Sequence, residues 1–508
     1  MQLRSGAMRE GVAVLIAGGL ILLVAGHYGP LSSLFGQIYY FQGASNLVHG
    51  DGMTSCSERF ITWIPPGYTL ILALTQLFGM SFTVAGVAVS AVSAGVYAWG
   101  SMRLLANSIS SRSLVWLGFL AMNVNPIVLK WHLEMTSDAV HASAIMLTFG
   151  VLSSYLKTGR RTYFRIAVAA IGLAALTRYI GAAAVAAVSC WLLLFSPMGG
   201  PRQRFQDALK FGVFASTPLA GFLIYVKSLG LPPGGGRSVI SLPISDQLHE
   251  VFSELSRWGV NLLGAGVRDA TTEEFRIAVF AALVLAGIAG TFVVTFKSLN
   301  RLSLGIVWMP AFYAFVYFVM MVTLQTLLPL DDFTGRYVLP LIGPAVFSFV
   351  VFLDRCVVLS GGRRAAHALA TGVLVTMMIV PANVAWSLAS GARSFGVHQM
   401  MAPAVADSDF LREAKSLLEV GTGIAGDQEA AQLLLAHFGR CVPYLKPGEN
   451  PEDAASGFTH LIEIDAKGIE LGSLGIAPPR IRFSELPGTY RPDAEDRKPV
   501  GRITPLAK

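Results

Sequence analysis

The sequence predicts a polytopic α-helical membrane protein that carries a small extracytoplasmic α/β domain at its C-terminus. Three observations predict this fold class: an apolar composition, apolar stretches long enough to span a bilayer, and a change to a soluble pattern near the C-terminus. Of the 508 residues, 53% are hydrophobic and 14% are charged, and the mean hydropathy is +0.58. A soluble domain typically carries about 25% charged residues. This chain lacks that polar surface, whereas helices in lipid satisfy their own backbone hydrogen bonds.

Apolar stretches of about 20 residues, the length that crosses a bilayer, recur along the first part of the chain. The first stretch follows Arg4 and Arg9 and shows no small-residue cleavage site, so we predict that it is retained. A shorter apolar segment, residues 66–77, is expected to lie along the outer interface. We predict eleven spans, near residues 11–27, 82–101, 113–129, 138–156, 165–178, 180–196, 209–228, 276–296, 303–328, 336–353 and 366–388.

The distribution of charge predicts the orientation of these spans, because cytoplasmic loops are enriched in Lys and Arg. With the N-terminus inside, the predicted cytoplasmic loops hold the basic residues and the opposite loops hold most of the acids. The net charge of +7 therefore points to a membrane surface and not to nucleic acid. Two outer loops, residues 28–65 and 230–275, are long, and long loops between spans usually carry function.

The pattern changes after residue 390. Residues 1–390 are predicted to form the membrane module and residues 391–508 an extracytoplasmic domain, with helices near 408–420 and 427–438, strands near 459–465 and 480–486, and a disordered tail after Gly488. The four cysteines form no CxxC motif, so the sequence has no zinc or haem signature. Cys56 and Cys441 both fall in outer segments, and whether they pair is left open.

Arg178 stands at membrane depth, where an ionisable side chain costs roughly 2.5–3.5 kcal/mol on insertion scales. It lies between two short apolar stretches, which predicts a helical hairpin with Arg178 at its tip. One interpretation is that the side chain reaches outward to lipid headgroups. The other is that it lines a cavity for an anion, of which phosphate is the best geometric match for a guanidinium group.

Two acids and a histidine follow one another at helical spacing near the start of the fourth span. Glu134, Asp138 and His141 are predicted to share one helix face, where they could bind a divalent cation or orient a hydroxyl group. The alternative is that the carboxylates stabilise a helix N-terminus, with Thr136 or Ser137 as its cap.

Two further arginines stand in predicted outer segments. Arg336 and Tyr337 stand at the outer end of the tenth span, although Asp331 and Asp332 could hold that arginine in a surface ion pair. Arg237 follows three glycines, a sequence that can wrap an anion or simply be a solvated loop. Together with Arg178, these residues predict an outward cavity suited to a lipid-linked, phosphorylated substrate.

Several segments, taken in order, resemble the GT-C glycosyltransferases of the PMT/ArnT-like type. Their order and spacing agree over about residues 10–390, although no single segment is specific. The segments are IYYFQGASNLVHGDG from residue 38, WIPPGYTLILALTQLFG from 63, EMTSDAVHA from 134, ALTRYIGAA from 175, GGGRSVISLP from 234 and GRYVLPLIGP from 335.

The resemblance implies transfer of a sugar from a polyprenyl-phosphate donor to an envelope lipid, glycan or protein, usually with inversion. Such enzymes act at the extracytoplasmic face of the inner membrane, and some need a divalent cation. It implies membrane lipids as partners and phosphate binding by Arg178, Arg237 and Arg336, with Asp138 as a structural or catalytic acid. The further substrate-binding residues expected on the same grounds are Tyr179, Tyr337, Arg59, His141 and Gln37.

The sequence departs from the family in its first outer loop, where an acid normally precedes paired tyrosines. Here Gly36 and Gln37 stand in that stretch, and a glutamine cannot act as a general base. Glu58 is the preferred substitute, and Asp51, or Glu134 with Asp138, are the alternatives. A non-catalytic relative that binds a lipid-linked glycan is a second reading. A transporter is a third, although the sequence shows no inverted repeat.

Overall fold

The structure is a computed structural model, and it describes residues 2–28, 37–55, 60–232, 234, 253, 301–327, 335–375, 424–426, 460–463 and 502–505. These residues form thirteen helices and three strands. The helices are α1 Gln2–Tyr28, α2 Gln37–His49, α3 Gly67–Leu77, α4 Phe82–Ser108, α5 Arg112–Asn123, α6 Pro126–Leu133, α7 Ser137–Thr158, α8 Arg161–Thr177, α9 Gly181–Phe195, α10 Pro201–Ser228, α11 Arg301–Leu327, α12 Gly335–Leu359 and α13 Arg364–Val375.

Six of the described helices are long and apolar enough to cross a bilayer: α1, α4, α7, α10, α11 and α12. The pair α5 and α6 makes a seventh crossing if it is taken as one bent span. The chain is therefore a multi-pass membrane protein. The predicted count of eleven spans stays a prediction, because α8 and α9 have only 17 and 15 residues and the stretch 276–296 lies outside the described residues.

The predicted third span is broken in the structure. The axes of α5 and α6 differ by 54°, and the break falls at Asn125. Its side-chain oxygen accepts a hydrogen bond from the Ile127 amide at 3.0 Å, which caps the new helix. Pro126 follows as the first helical residue, where its missing N–H costs nothing.

Polar contacts show which helix ends lie together. Arg103, near the end of α4, donates to Glu10 of α1 at 2.6 Å and to Ser154 of α7 at 2.8 Å. Near the end of α12, Asp354 accepts from the Ser111 amide at 3.2 Å. The start of α1 and the ends of α4, α7 and α12 therefore share one end of the bundle. We call this the basic end, because arginines and lysines flank its turns at 109–111, 159–160, 196–200 and 360–363.

The central helix is α7, which is buried over 94% of its span. It packs against α4 with the two backbones in contact. A Cβ atom at Gly100 would lie 2.4 Å from the carbonyl oxygen of Met146, and one at Gly150 would lie 2.8 Å from that of Gly100. By contrast, α1 presents Leu15 and Leu23 outward with 75% and 72% of their surface exposed. Outward leucines on a helix long and apolar enough to cross a bilayer fit contact with lipid.

The predicted helical hairpin around Arg178 is present. Helices α8 and α9 are joined by residues 178–180 alone, and α9 begins at Gly181. A Cβ atom at that glycine would lie 2.5 Å from the Ala174 carbonyl oxygen, so the tight turn excludes any larger residue. The hairpin tip lies at the end of the bundle opposite the basic end, because α7 and α8 are joined at the basic end by residues 159–160.

Three short strands, β1 Ile424–Gly426, β2 His460–Glu463 and β3 Arg502–Pro505, form a sheet in the order β1-β2-β3. The pair β1–β2 is parallel and the pair β2–β3 is antiparallel. The strand predicted near 459–465 is present as β2. Within the tail predicted to be disordered after Gly488, residues 502–505 form β3 and pair with β2; the rest of that prediction stays a prediction. The other elements predicted after residue 390, and Cys56 and Cys441, lie outside the described residues.

Candidate functional site

The candidate site is built around an ion pair between the hairpin tip and the start of α7. Arg178 follows α8 directly, and its Nη1 donates to Oδ1 of Asp138 in the first turn of α7. The two side chains are 18% and 6% exposed. Asp138 is the one acceptor that the described residues provide for Arg178. A guanidinium group has five N–H donors, so four of them have no acceptor among the described residues.

The predicted pair Arg336 and Tyr337 lies beside this ion pair. The guanidinium carbon of Arg178 lies 5.8 Å from the centroid of the Tyr337 ring. The guanidinium carbon of Arg336 lies 4.8 Å from the same centroid. Arg336 Nη2 also donates to the Tyr337 hydroxyl at 3.0 Å. Two cations that would repel each other are thus held near one ring, whose π face attracts positive charge. The arrangement concentrates positive charge at one point, as anion binding requires.

Helices α2 and α3 bring two tyrosines to the start of α7. Tyr40 of α2 shares a 2.7 Å hydrogen bond with Ser137, the residue before Asp138. Its ring meets that of Tyr68 of α3 edge to face, with centroids 5.0 Å apart. Gly67 lets α3 approach the hairpin, because a Cβ atom there would lie 2.7 Å from the Leu176 carbonyl oxygen. The segment WIPPGY therefore packs against the hairpin that carries Arg178.

Tyr179, the second residue of the hairpin tip, fixes the first long loop. Its hydroxyl donates to the carbonyl oxygen of Thr62 at 2.6 Å. Burial raises the pKa of Tyr179 to about 12, although a hydrogen bond from Gly234 opposes this. The phenol is therefore protonated at neutral pH and can keep donating. In the described residues Tyr179 contacts backbone, so its predicted contact with substrate stays a prediction.

Glu134 and Asp138 do not lie on one helix, contrary to the prediction. Glu134 ends α6, and α7 begins only at Ser137, because the backbone is extended between them. Glu134 remains close to the site, since Asp138 and Arg336 both act on it electrostatically. Its Oε1 lies 3.7 Å from Nζ of Lys130, while its buried Oε2 has no hydrogen-bond partner in the described part of the chain.

Glu134 lies in the connection between two spans, and its surroundings change its acidity. Burial raises the pKa of Glu134 to about 7, the Lys130 ammonium opposes this, and the Asp138 carboxylate adds to it. A carboxyl group with a pKa near the working pH can accept a proton and release it again. Glu134 is therefore the described acid whose environment best suits a general base.

His141 stands one turn after Asp138 on α7, but its ring is fully buried. Its Nδ1 hydrogen-bonds the Ala174 carbonyl oxygen at 3.0 Å, and its Nε2 has no partner among the residues described. No group of three or more His, Cys, Asp or Glu residues in the described ranges is arranged to hold a metal ion. With Asp138 taken by Arg178, these residues do not fit a divalent cation.

The remaining predicted residues divide into two groups. Asp51 is described: it is exposed and lies just beyond the end of α2, where its amide bonds the Asn46 carbonyl oxygen at 2.8 Å. Helix geometry separates Tyr40 from His49, the last residue of α2, by about 13 Å, so Asp51 lies well away from the Tyr40–Ser137 contact. Glu58, Arg59, Arg237 and the side chain of Gln37 lie outside the described residues.

Tyr40, Tyr68 and Tyr317 belong to the site but were not predicted as site residues. Tyr317 of α11 is buried and interacts electrostatically with Arg178. The paired tyrosines of α2 and the PPGY turn were available signals, whereas nothing marks Tyr317 in the apolar α11. A cavity in the described residues lies elsewhere, between α1, α4, α5 and α6 beside His132. The predicted outward cavity at the arginines therefore stays a prediction.

Comparisons with known proteins agree with the predicted resemblance. The sequence model of the family described as dolichyl-phosphate-mannose-protein mannosyltransferase matches residues 64–224, which include α3, Glu134, Asp138 and Arg178. No curated protein sequence matches the chain.

Solved structures share the fold at low sequence identity. ArnT from Cupriavidus metallidurans in its apo state has a TM-score of 0.57 at 15% identity, covering 90% of this chain and 94% of that one. The same protein bound to undecaprenyl phosphate has a TM-score of 0.58 at 14% identity, with the same coverage. The arabinofuranosyltransferase AftD from Mycobacteria gives 0.54 at 14%, covering 97% of this chain and 40% of that one. At such identities the likeness establishes the fold.

Proposed function

We propose that this chain, a PMT/ArnT-like protein with the GT-C fold, is a membrane glycosyltransferase that uses a polyprenyl-phosphate-linked sugar. The acceptor is an envelope lipid, glycan or protein, and the reaction takes place at the extracytoplasmic face of the inner membrane. The family match over residues 64–224 and the fold shared with ArnT support the reaction class. The ArnT complex with undecaprenyl phosphate supports the class of donor.

One observation carries the proposal for this chain's own residues. Arg178 is fixed by Asp138 and by the Tyr337 ring, most of its N–H donors have no acceptor in the described part of the chain, and Arg336 lies against the same ring. Fixed guanidinium groups bind a phosphate with two parallel hydrogen bonds and lose little freedom in doing so. We assign the donor phosphate to Arg178 and Arg336, with Arg237 as a third candidate.

We propose Glu134 as the general base, and Glu58 and Asp51 as the alternatives from the first long loop. The base takes a proton from the acceptor nucleophile, which attacks the anomeric carbon of the sugar. The bond from that carbon to the phosphate oxygen breaks, and the polyprenyl phosphate leaves with the electron pair. The arginines stabilise the charge that develops on the leaving phosphate. Asp138 orients Arg178 and takes no proton in this scheme. Inversion follows if the attack is direct.

Binding of undecaprenyl phosphate to the purified full-length chain tests the phosphate assignment. Replacing Arg178 alone would leave a buried carboxylate unpaired, at a cost of about 3–5 kcal/mol. The variant is therefore Arg178→Gln combined with Asp138→Asn. The matched control is Arg103→Gln with Glu10→Gln, which removes a partly buried pair at the basic end.

We expect the site double variant to weaken undecaprenyl phosphate binding about 10–100-fold, because a hydrogen bond to a charged group is worth about 1.5–3 kcal/mol. The control double variant should bind as the unaltered chain does. Native mass spectrometry or a thermal shift with added lipid gives the affinity. Equal binding by both double variants would refute the role of Arg178.

One experiment in the source organism can identify the acceptor and the sugar. Mass spectrometry of envelope glycolipids and glycoproteins is compared between a deletion strain and the same strain complemented with the intact gene. We expect the deletion to remove one glycan mass and the complementation to restore it. Complementation with the Glu134→Gln variant then shows whether the glycan requires the Glu134 carboxylate or only the presence of the protein.

A second candidate function, a non-catalytic relative that binds a lipid-linked glycan, is favoured by one observation. The stretch before Tyr39 and Tyr40 reads Phe35, Gly36, Gln37 and contains no acid. This reading predicts lipid-phosphate binding without turnover and indifference to Glu58→Gln, Glu134→Gln and Asp138→Asn. Loss of the native glycan in any of these three variants, with the protein level unchanged, excludes it.

A further inference from the structure

The start of α8 and the start of α10 lie side by side at the basic end. Arg161 Nη1 of α8 donates to Oδ1 of Asp207 of α10 at 2.6 Å. The Tyr155 hydroxyl donates to the other oxygen of the same carboxylate at 2.9 Å. Asp207 is 4% exposed. Its charge is therefore fully used inside the protein and is not available to neighbouring cations.

Five more basic residues lie within five positions of Arg161 or Asp207 along the chain, and we call them the basic corner: Arg160, Arg165, Arg202, Arg204 and Lys210. Helical spacing places them together, because Arg165 is one turn beyond Arg161, and Arg204 and Lys210 lie three residues on either side of Asp207. Four of the five are exposed, Arg204 being half-buried. None of the ion pairs among the described residues involves a member of the basic corner.

Arg202 of the basic corner leads into an apolar stripe on the outside of α10, the face opposite the buried Asp207. Phe205, Leu209 and Val213 follow at four-residue intervals, with 56%, 53% and 54% of their surface exposed. Arg202 precedes the stripe by three residues on the same face. A cationic cap above an outward apolar stripe matches a phospholipid, which has an anionic head above acyl chains. A soluble anion would have no use for the stripe.

We propose that the basic corner is a binding site for the headgroup of an anionic phospholipid, whose acyl chains lie along Phe205, Leu209 and Val213. Guanidinium groups bind phosphate oxygens in pairs, and the first turns of α8 and α10 add N–H dipoles of the same sign. The site lies at the opposite end of the bundle from Arg178, so it is separate from the proposed donor site. It anchors the α8–α9 hairpin and α10 to one leaflet.

The test measures binding of phosphatidylglycerol to the purified full-length chain by native mass spectrometry, with phosphatidylcholine as the neutral lipid. The variant is the triple replacement Arg160→Gln, Arg165→Gln and Arg202→Gln, which removes the cation above the stripe and leaves the Arg161–Asp207 pair intact. The matched control is the triple replacement Arg112→Gln, Arg363→Gln and Arg364→Gln. It removes the same charge from exposed residues at the same end of the bundle.

We expect the variant to lose about a hundredfold in phosphatidylglycerol affinity, since each basic residue near a membrane surface contributes about fivefold. The control should lose less than fivefold, and phosphatidylcholine binding should not change. The proposal is overturned if the variant and the control lose equally, because the attraction is then diffuse. It is also overturned if glycerol phosphate alone competes as well as the lipid, which would make the site one for a soluble anion.

Folding is controlled in the same experiment. The single variant Arg165→Gln replaces one exposed side chain and should lose about fivefold by itself. Raised salt should weaken phosphatidylglycerol binding by the unaltered chain, because exposed charges are screened within about 10 Å at 0.1 M ionic strength. Binding that is insensitive both to salt and to Arg165→Gln contradicts the proposal whether or not the triple variant folds.

Discussion

Glu134 combines a buried oxygen that has no hydrogen-bond partner among the described residues with a raised pKa of about 7, so its ionisation should control activity in the neutral range. If it is the base, turnover rises with pH through about 7 as the carboxyl group loses its proton. Glu134→Gln should abolish turnover or remove this rise. Lys130→Gln should move the rise to higher pH, because the Lys130 ammonium lowers the pKa of Glu134. Glycan transfer measured across pH in purified protein decides both.

Stability provides an independent readout of the same carboxyl group. Its pKa is raised on folding from the ordinary 4.5 to about 7, so the folded state holds the proton more tightly than the unfolded chain. Stability therefore falls as pH rises from about 4.5 to 7, by about 3 kcal/mol in total. Glu134→Gln should remove this fall, which a thermal-unfolding series in detergent measures. The same slope in the variant would contradict the assigned pKa.

The sequence singled out Arg178 and Asp138 separately, each as a charge that was costly at its position. Their pairing could not be predicted, because the two residues lie 40 positions apart and meet only through the packing of the hairpin against α7. The shared face of Glu134 and Asp138 was wrong for a local reason. The alternative interpretation, a helix start with Thr136 or Ser137 as its cap, agrees with the structure, where Thr136 is the N-cap residue and a new helix begins after Glu134.

At the scale of helices, contact between the α4 and α7 backbones depends on glycine. Gly100→Ala places a methyl group 2.4 Å from the Met146 carbonyl oxygen, so the helices must separate. Alanine gains about 0.5–1 kcal/mol in helix preference over glycine, whereas overpacking costs about 1–3 kcal/mol. Because the clash is with rigid backbone, the cost of overpacking exceeds the gain in helix preference. We expect Gly100→Ala to lower the midpoint of thermal unfolding in detergent.

Gly221→Ala is the matched control, because a Cβ atom at Gly221 of α10 meets nothing within 4 Å. It should leave stability unchanged or raise it slightly. A Gly100→Ala protein as stable as the Gly221→Ala protein would show that α4 and α7 are not in backbone contact.

Several elements could be predicted from the sequence because the residues that indicate them are close together in the chain. The hairpin was marked by two short apolar stretches around a charge, and α3 by a short apolar run before Gly79. The break between α5 and α6 was missed, although an Asn-Pro pair is a known turn signal. Helix α2 was missed because it lies inside a long loop, where its apolar face is covered by tertiary packing against α3, α4 and the start of α7.

For the whole molecule, the two ends of the bundle differ in the way they use charge. At the basic end the described acids Glu10, Asp207 and Asp354 each bind an arginine, and further cations remain. At the opposite end Asp138 and Glu134 lie among arginines and tyrosines at the candidate site. By the positive-inside rule, the excess of cations indicates that the basic end lies on the cytoplasmic side. In the proposed orientation the candidate site faces outward, the side on which the proposed lipid-linked donor would be available.

Accessibility of single cysteines tests this orientation. The four native cysteines are first replaced by serine or alanine, and Asp51→Cys and Arg160→Cys are made separately in that background. Asp51 is exposed beyond α2, and Arg160 is exposed at the start of α8 at the basic end. In spheroplasts, a membrane-impermeant maleimide should label the Asp51→Cys protein at once and the Arg160→Cys protein only after permeabilisation. The reverse result would place the candidate site in the cytoplasm, where an extracytoplasmic donor could not reach Arg178. Equal labelling of both would contradict a bundle that crosses the membrane between these two positions.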